Sequence, residues 1–148
     1  MSPSPIAPRI IVRDLDAAVR FYEEAFGFRT RYILRTASGE ALHAELDYEG
    51  TTLILGVESE RRGARSPAAL QGTPVGLYVS VPDVDSHRER LRRFPAATVR
   101  LEPTTVYWGE RIYAMFDPEG HWWTFATRLE ELSPEEIQRR AIAVGAGV

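Results

Sequence analysis

The sequence predicts an α+β protein made of two tandem βαβββ modules and a C-terminal helix. Three observations carry this. A β-branched run that ends at an aspartate and leads into a helical pattern occurs twice, in Val12-Arg13-Asp14 and in Val81-Pro82-Asp83, with the two aspartates 69 residues apart. A repeat of that length marks a recurring supersecondary unit. Each helical pattern is followed by three strand-like segments. A separate helix start, Leu132-Ser133-Pro134-Glu135-Glu136, closes the chain.

In the first module, residues 6–57, Ile10-Ile11-Val12 reads as a strand and Asp14 as the cap of a helix, with Asp16 adding charge near its N-terminus. Ala17, Ala18, Phe21, Tyr22, Ala25 and Phe26 recur at helical spacing and form one apolar face. Gly27 stops the helix. Strands are expected over 29–36, 42–48 and 52–57, separated by the turn dipeptides Ser38-Gly39 and Glu49-Gly50. Residues 58–74, rich in Arg, Gly and Pro, read as a linker with room for a short helix. The second module, 75–128, opens on the alternating run Leu77-Tyr78-Val79-Ser80-Val81. A helix capped by Asp83 or Asp85 runs to about Phe94, and strands follow near 99–101, 111–116 and 122–127. His87 is expected on the solvent face of that helix. Asp117-Pro118-Glu119-Gly120 is a turn between the last two strands. The terminal helix, 132–145, starts at Ser133 with Pro134 in its first turn and Glu136 completing a capping box, and it ends in Gly145-Ala146-Gly147. Ile137, Ala141 and Val144 are its apolar side.

Composition narrows the function. With 44% hydrophobic and 26% charged residues, the chain can bury a core and stay in solution. A net charge of -3 offers no basic field for nucleic acid. There is no cysteine, which removes disulfides, thiolate metal sites and cysteine nucleophiles. The N-terminus lacks the basic start and apolar run of a signal peptide. No apolar stretch approaches the roughly 20 residues of a membrane span. A cytoplasmic protein is expected. No phosphate-binding glycine loop, dinucleotide fingerprint or nucleophile elbow is present.

Val12 to Phe28, Trp108-Gly109-Glu110-Arg111 and Asp117-Pro118-Glu119-Gly120-His121-Trp122-Trp123 together resemble the vicinal-oxygen-chelate proteins. That superfamily includes glyoxalase I, extradiol dioxygenases, fosfomycin-resistance enzymes and bleomycin-resistance proteins. The resemblance covers roughly residues 6 to 144. His43-Ala44-Glu45-Leu46 and the Leu132–Glu136 tail bring it nearest to the PhnB-like or bleomycin-resistance-like branch. It implies the glyoxalase/bleomycin resistance fold, with a sheet-lined cleft, and a homodimer. One fold hosts many activities, so it constrains function far less.

In metal-using members of the family, ligands come from four strands that line the concave face. The matching positions here are Ala7, Gly76, Thr124 and a place within 51–57, a stretch without His, Glu, Asp or Gln. Alanine and glycine offer no donor, and a neutral threonine is a poor ligand for a divalent ion. The nearby Arg9 and Arg13 repel a cation. No metal and no other cofactor are therefore expected. The alternative is a shifted metal site built from His43, Glu45 and His121.

The resemblance implies that the family's ligand positions point into the cleft, and alternation along the strands then assigns their neighbours. Arg9 and Ile11 point with Ala7 into the cleft, Tyr78 and Ser80 with Gly76, and Trp122 and Ala126 with Thr124. Trp123 and Phe125 pack under a helix. His43 and Glu45 share one face of their strand. The candidate ligand-binding residues are Trp108, Arg111, Trp122, Tyr78, Thr124, His43 and Glu45; no catalytic residue is assigned. Aromatic faces stack on planar molecules and hold cations, and Arg111 can grip a carboxylate or phosphate. Each has a structural alternative: Trp108 in a core or dimer interface, and Arg111 paired internally with Glu110, Asp117 or Glu45.

The functional expectation is a metal-free protein that sequesters a small planar or cationic organic ligand, without nucleic-acid or membrane partners and without chemistry. Two alternatives stand beside it. One is a metal-dependent lyase, isomerase or dioxygenase with the shifted site. The other is an accessory protein whose C-terminal helix docks on a partner.

Overall fold

The computed structural model describes residues 4–146. Met1–Pro3, on which part of the N-terminal reading rests, and Gly147 lie outside the described residues. The architecture is α+β, with two four-stranded sheets and four α-helices. The chain divides into two compact units. One runs to Pro74 and includes Pro118–His121; the other holds Val75–Asp117 and the chain from Trp122 onward.

The first unit is built from β1 (Arg9–Val12), α1 (Leu15–Phe26), β2 (Arg29–Arg35), β3 (Ala41–Tyr48) and β4 (Thr51–Val57), in sheet order β1-β4-β3-β2. β1 pairs parallel with β4, and the other pairs are antiparallel. The Asp14 side chain accepts from the Ala17 N–H at the start of α1, and Gly27, with φ 76°, closes the helix through left-handed backbone. Glu49 and Gly50 both take positive φ, which a two-residue hairpin of this twist requires. Tyr22, Phe26, Leu46 and Leu55 are fully buried where α1 covers the sheet. The segment after β4 belongs to this unit and carries a 3₁₀ turn at Glu60–Arg62 and the short α2 (Pro67–Leu70).

The second unit repeats the pattern with β5 (Gly76–Ser80), α3 (Val84–Leu91), β6 (Thr98–Val106), β7 (Glu110–Phe116) and β8 (Trp122–Arg128), in order β5-β8-β7-β6. Asp83 caps α3 through the N–H groups of Asp85 and Ser86. β6 is much longer than its apolar core suggests, and it runs through Pro103. It lies at the sheet edge with two register shifts against β7, where a missing N–H breaks no interior ladder. Trp123, Tyr113, Phe125 and Met115 fill the core beneath α3.

His87 corrects the sequence reading. It is 5% exposed, its Nδ1 lies 2.6 Å from the Tyr113 hydroxyl, and its ring lies 4.2 Å from that of Phe125. An eight-residue helix over a four-stranded sheet buries a wider stripe than its few apolar residues suggest, so imidazole serves here as core.

The terminal α4 (Pro134–Ala143) starts at Ser133, whose hydroxyl accepts from the Glu136 N–H. The Glu136 carboxylate turns to Arg139 and Arg140 rather than back to the cap. Val144, placed on the apolar side, is 64% exposed, and no residue of α4 is fully buried. Among the described residues no helix is long and apolar enough to cross a membrane.

Candidate functional site

Each sheet has one face under its helix and one face turned away from it, called the open face below, although Thr124, Ala126, Ala114 and Ile112 on it are themselves buried. On the second sheet, cross-strand pairing settles which residues share the open side: Gly76↔Trp122↔Phe116, Tyr78↔Thr124↔Ala114, and Ala126↔Ile112. Tyr78, Thr124 and Trp122 of the sequence-derived set therefore lie on one face. Trp122 packs edge-on against Phe116, with centroids 4.9 Å apart. Its indole also occupies the space over Gly76, where a Cβ would come within 2.8 Å of Trp122 Cδ1. Residue 76 can thus carry no side chain unless the indole moves.

Trp108 joins the same group from the turn before β7. Its Nε1 donates to Glu110 Oε2 at 2.9 Å and approaches the Tyr78 hydroxyl at 3.3 Å. The Tyr78 hydroxyl donates to the same Glu110 oxygen. Tyr78 is 54% exposed as a residue. Desolvation, followed by the hydrogen bond to Glu110, pushes the phenol up to about 12. Tyr78 thus remains a donor at neutral pH. The group is a carboxylate ringed by Trp108 and Tyr78, with Trp122 and Phe116 further along the face.

Arg111 is not brought into this group. It alternates with Glu110, so its side chain lies on the helix side, where it makes two bonds of 2.7 and 2.9 Å to Asp85 of α3. Asp85 was not among its expected partners. Glu110, which was not among the sequence-derived residues, is the carboxylate that the structure brings to this group. Both faces of β7 are apolar further on, so its alternation gave no signal. The pairing of Ala114 with Thr124 supplies the missing register.

On the first sheet, His43 and Glu45 share the open face as expected, and Tyr32 joins them. A bulge between Thr30 and Tyr32 turns the tyrosine onto this side. Its hydroxyl donates to Glu45 Oε1 at 2.7 Å. His43 Nε2 lies 3.5 Å from that hydroxyl and 3.7 Å from Glu45 Oε1. Nearby, Arg31 holds the buried Asp47 at 2.6 Å and keeps its carboxyl below the usual range.

The donor set does not fit the divalent ion of the family's metalloenzymes. The open faces of β1 and β4 carry Arg9, Ile11, Thr52, Ile54 and Gly56; those of β5 and β8 carry Gly76, Tyr78, Ser80, Trp122, Thr124 and Ala126. None is an imidazole or carboxylate. Among the described residues no group of three or more His, Asp or Glu side chains could hold a metal. His121, the third member of the shifted set, instead lies with Nε2 2.8 Å from the Ile11 carbonyl.

The Asp117–Gly120 turn has a structural role. The Glu119 carboxylate accepts from the backbone N–H groups of Arg13 and Asp14, and Asp117 accepts from Trp123 Nε1 at 2.8 Å. Gly120 has φ 91°, and a Cβ there would lie 3.1 Å from Pro67. Gly120→Ala is expected to cost about 1–2 kcal/mol through left-handed strain and crowding, read as a lower urea midpoint with unchanged slope.

The sequence profile of the Glyoxalase/Bleomycin resistance protein/Dioxygenase superfamily matches residues 5–125. An uncharacterized protein of Mycobacterium bovis is 31% identical over 145 residues, covering 96% of this chain and 95% of its own. An uncharacterized protein of Bacillus subtilis is 26% identical over 80% of this chain and 93% of its own. The crystal structure of TioX from Micromonospora sp. ML1 is similar with a TM-score of 0.68 and 29% identity, covering 85% of this chain and 99% of that one. A superfamily member from Sphaerobacter thermophilus matches in fold with a TM-score of 0.69 and 23% identity, over 86% of this chain and 99% of that one.

Proposed function

Because the chain belongs to the glyoxalase/bleomycin resistance protein/dioxygenase superfamily, we propose that it works as the bleomycin-resistance-like branch is expected to, by binding a small organic molecule without a metal ion and releasing it unchanged. The ligand is planar and cationic, and it binds on the open face of the second sheet. The observation that carries this reading is the Gly76–Trp122 pair. Where metal-using relatives are expected to carry a ligand residue, this chain has a glycine, and an indole fills the space above it.

The chemistry of the face supports the same ligand. Trp108, Tyr78 and Trp122 present π faces, which attract planar molecules and cations by about 0.5–2 kcal/mol each. Glu110 supplies the negative charge, and the raised Tyr78 phenol stays neutral beside it. Thr124 lies on the same face but is buried rather than open to solvent. The proposal includes a cytoplasmic homodimer, which the absence of cysteine and the family support; light scattering on the purified chain should give twice its mass.

The test is a fluorescence titration of the full chain with the planar cation ethidium, in EDTA and again with added zinc or manganese. Binding is expected in both, and the compound should be recovered intact by mass spectrometry. Trp122→Ala and Glu110→Gln should each weaken it about tenfold or more. Gly76→Ala should weaken it too, by displacing the indole. Binding that appears only with stoichiometric metal, or chemical conversion of a bound compound that needs metal, would overturn the proposal.

A further inference from the structure

A second, separate feature lies on the first sheet. Gly56 sits inside β4, and its backbone is not in the left-handed region that only glycine favours. A strand-interior glycine costs about 0.5–1 kcal/mol relative to alanine, so its presence points to close approach by another group. That group is Arg9. A Cβ at Gly56 would lie 2.9 Å from Arg9 Nη2, 3.2 Å from Nε and 3.3 Å from Ile11 Cδ1. The guanidinium is therefore laid on the β4 backbone.

Arg29 and Arg31 both meet Asp47, Arg35 meets Asp16, and Arg13 meets Glu119. Among the described residues Arg9, an exposed side chain, has no ion pair, as is also true of Arg20, Arg61, Arg62 and Arg65 of this unit; what sets Arg9 apart is its seat on the sheet. It starts in the cross-strand row of Ile54 and Glu45, yet its head lies over the next row, that of Ile11, Gly56 and His43. The Glu45 carboxylate is taken by the Tyr32 hydroxyl instead. His43 stacks on Tyr32 with centroids 5.8 Å apart and keeps Nε2 turned to that pair.

We propose that Arg9, seated on Gly56, receives the carboxylate of a small organic acid. Ile11 and Ile54, half-buried on the same face, offer its apolar body a surface. Guanidinium and carboxylate match in a two-bond geometry. Glu45, on the same face, penalises a second negative charge, so the site favours a monocarboxylate over a phosphate dianion.

The experiment is isothermal titration calorimetry of the full chain with benzoate, benzyl alcohol and inorganic phosphate. Benzoate should bind once per chain, and the alcohol and phosphate at least about tenfold more weakly. Arg9→Gln should weaken benzoate by about tenfold or more, Arg9→Lys by less, and Gly56→Ala by lifting the guanidinium. Arg20→Gln, an exposed α1 arginine, should change nothing. Matching thermal melts establish that each variant folds, and if Gly56→Ala does not, the two Arg9 variants decide. Benzoate binding that is absent, equal to that of the alcohol or phosphate, or untouched by Arg9→Gln would overturn the proposal. Ethidium titrated into Arg9→Gln reads the second-sheet site on its own, so either proposal can fail without the other.

Discussion

Trp123→Ala is expected to destabilise the protein by about 3–5 kcal/mol, while Trp122→Ala, one residue earlier, leaves most of the stability and weakens binding of the proposed ligand about tenfold or more. The two indoles leave β8 on opposite sides. Trp123 is 1% exposed under α3. Its ring is parallel to that of Phe125 at 6.0 Å, and its N–H is satisfied by Asp117. Truncating it empties a large, well-packed volume and removes one hydrogen bond to the buried Asp117 carboxylate. For a chain of this size the melting midpoint should fall by roughly 10 °C or more. Trp122 lies half-buried on the open face, and its loss should cost under about 2 kcal/mol. Paired thermal melts and ethidium titrations on the two variants check this. Equal destabilisation by both would show that the face assignment is wrong.

The stability of the wild-type chain should fall as pH drops from about 6.5 to 4, with His87 contributing about 3 kcal/mol of the loss. Burial, and next the nearby Arg90 charge, hold this imidazole down to about 4, against 6.5 in an unfolded chain. Above pH 6.5 it is neutral in both states and contributes nothing. Between the two values the unfolded chain takes a proton that the folded one refuses, so folding weakens toward acid. His87→Gln keeps a hydrogen-bonding group near Tyr113 but cannot titrate. Urea unfolding of both proteins at pH 7, 5.5 and 4.5 should show the flatter curve in the variant. Carboxylates held low by their partners, such as Asp47 and Asp16, also lose stabilisation in acid, but they do so equally in both proteins and cancel. Parallel curves would mean that His87 charges freely in the fold.

Both expectations depend on which face a residue occupies, and that was only partly legible beforehand. In β8 the family's ligand position at Thr124, carried along the strand by period-2 alternation, put Trp122 on one face and Trp123 and Phe125 on the other. In β7 both sets are apolar beyond Arg111, and parity could not choose between Glu110 and Arg111. Tyr32 was hidden for another reason: a bulge shifts the parity of β2, and nothing in Arg29–Arg35 announces it. His87 was misplaced because α3 has a weak apolar stripe, so its orientation follows the sheet beneath it.

From the sequence alone came the repeated βαβββ order, the caps at Asp14 and Ser133 and the choice of Asp83 or Asp85 for the second module, the turns, and, with the family resemblance, the want of metal donors at the family's ligand positions. These are local properties: they follow from side-chain period, from backbone permissiveness and from donor chemistry at single positions. The tertiary structure alone decided that Glu110 rather than Arg111 faces outward, that Asp85 takes Arg111, and that Arg9 rests unpaired on Gly56. Each of these depends on cross-strand register, which joins residues far apart in the chain through hydrogen bonds that no local pattern encodes.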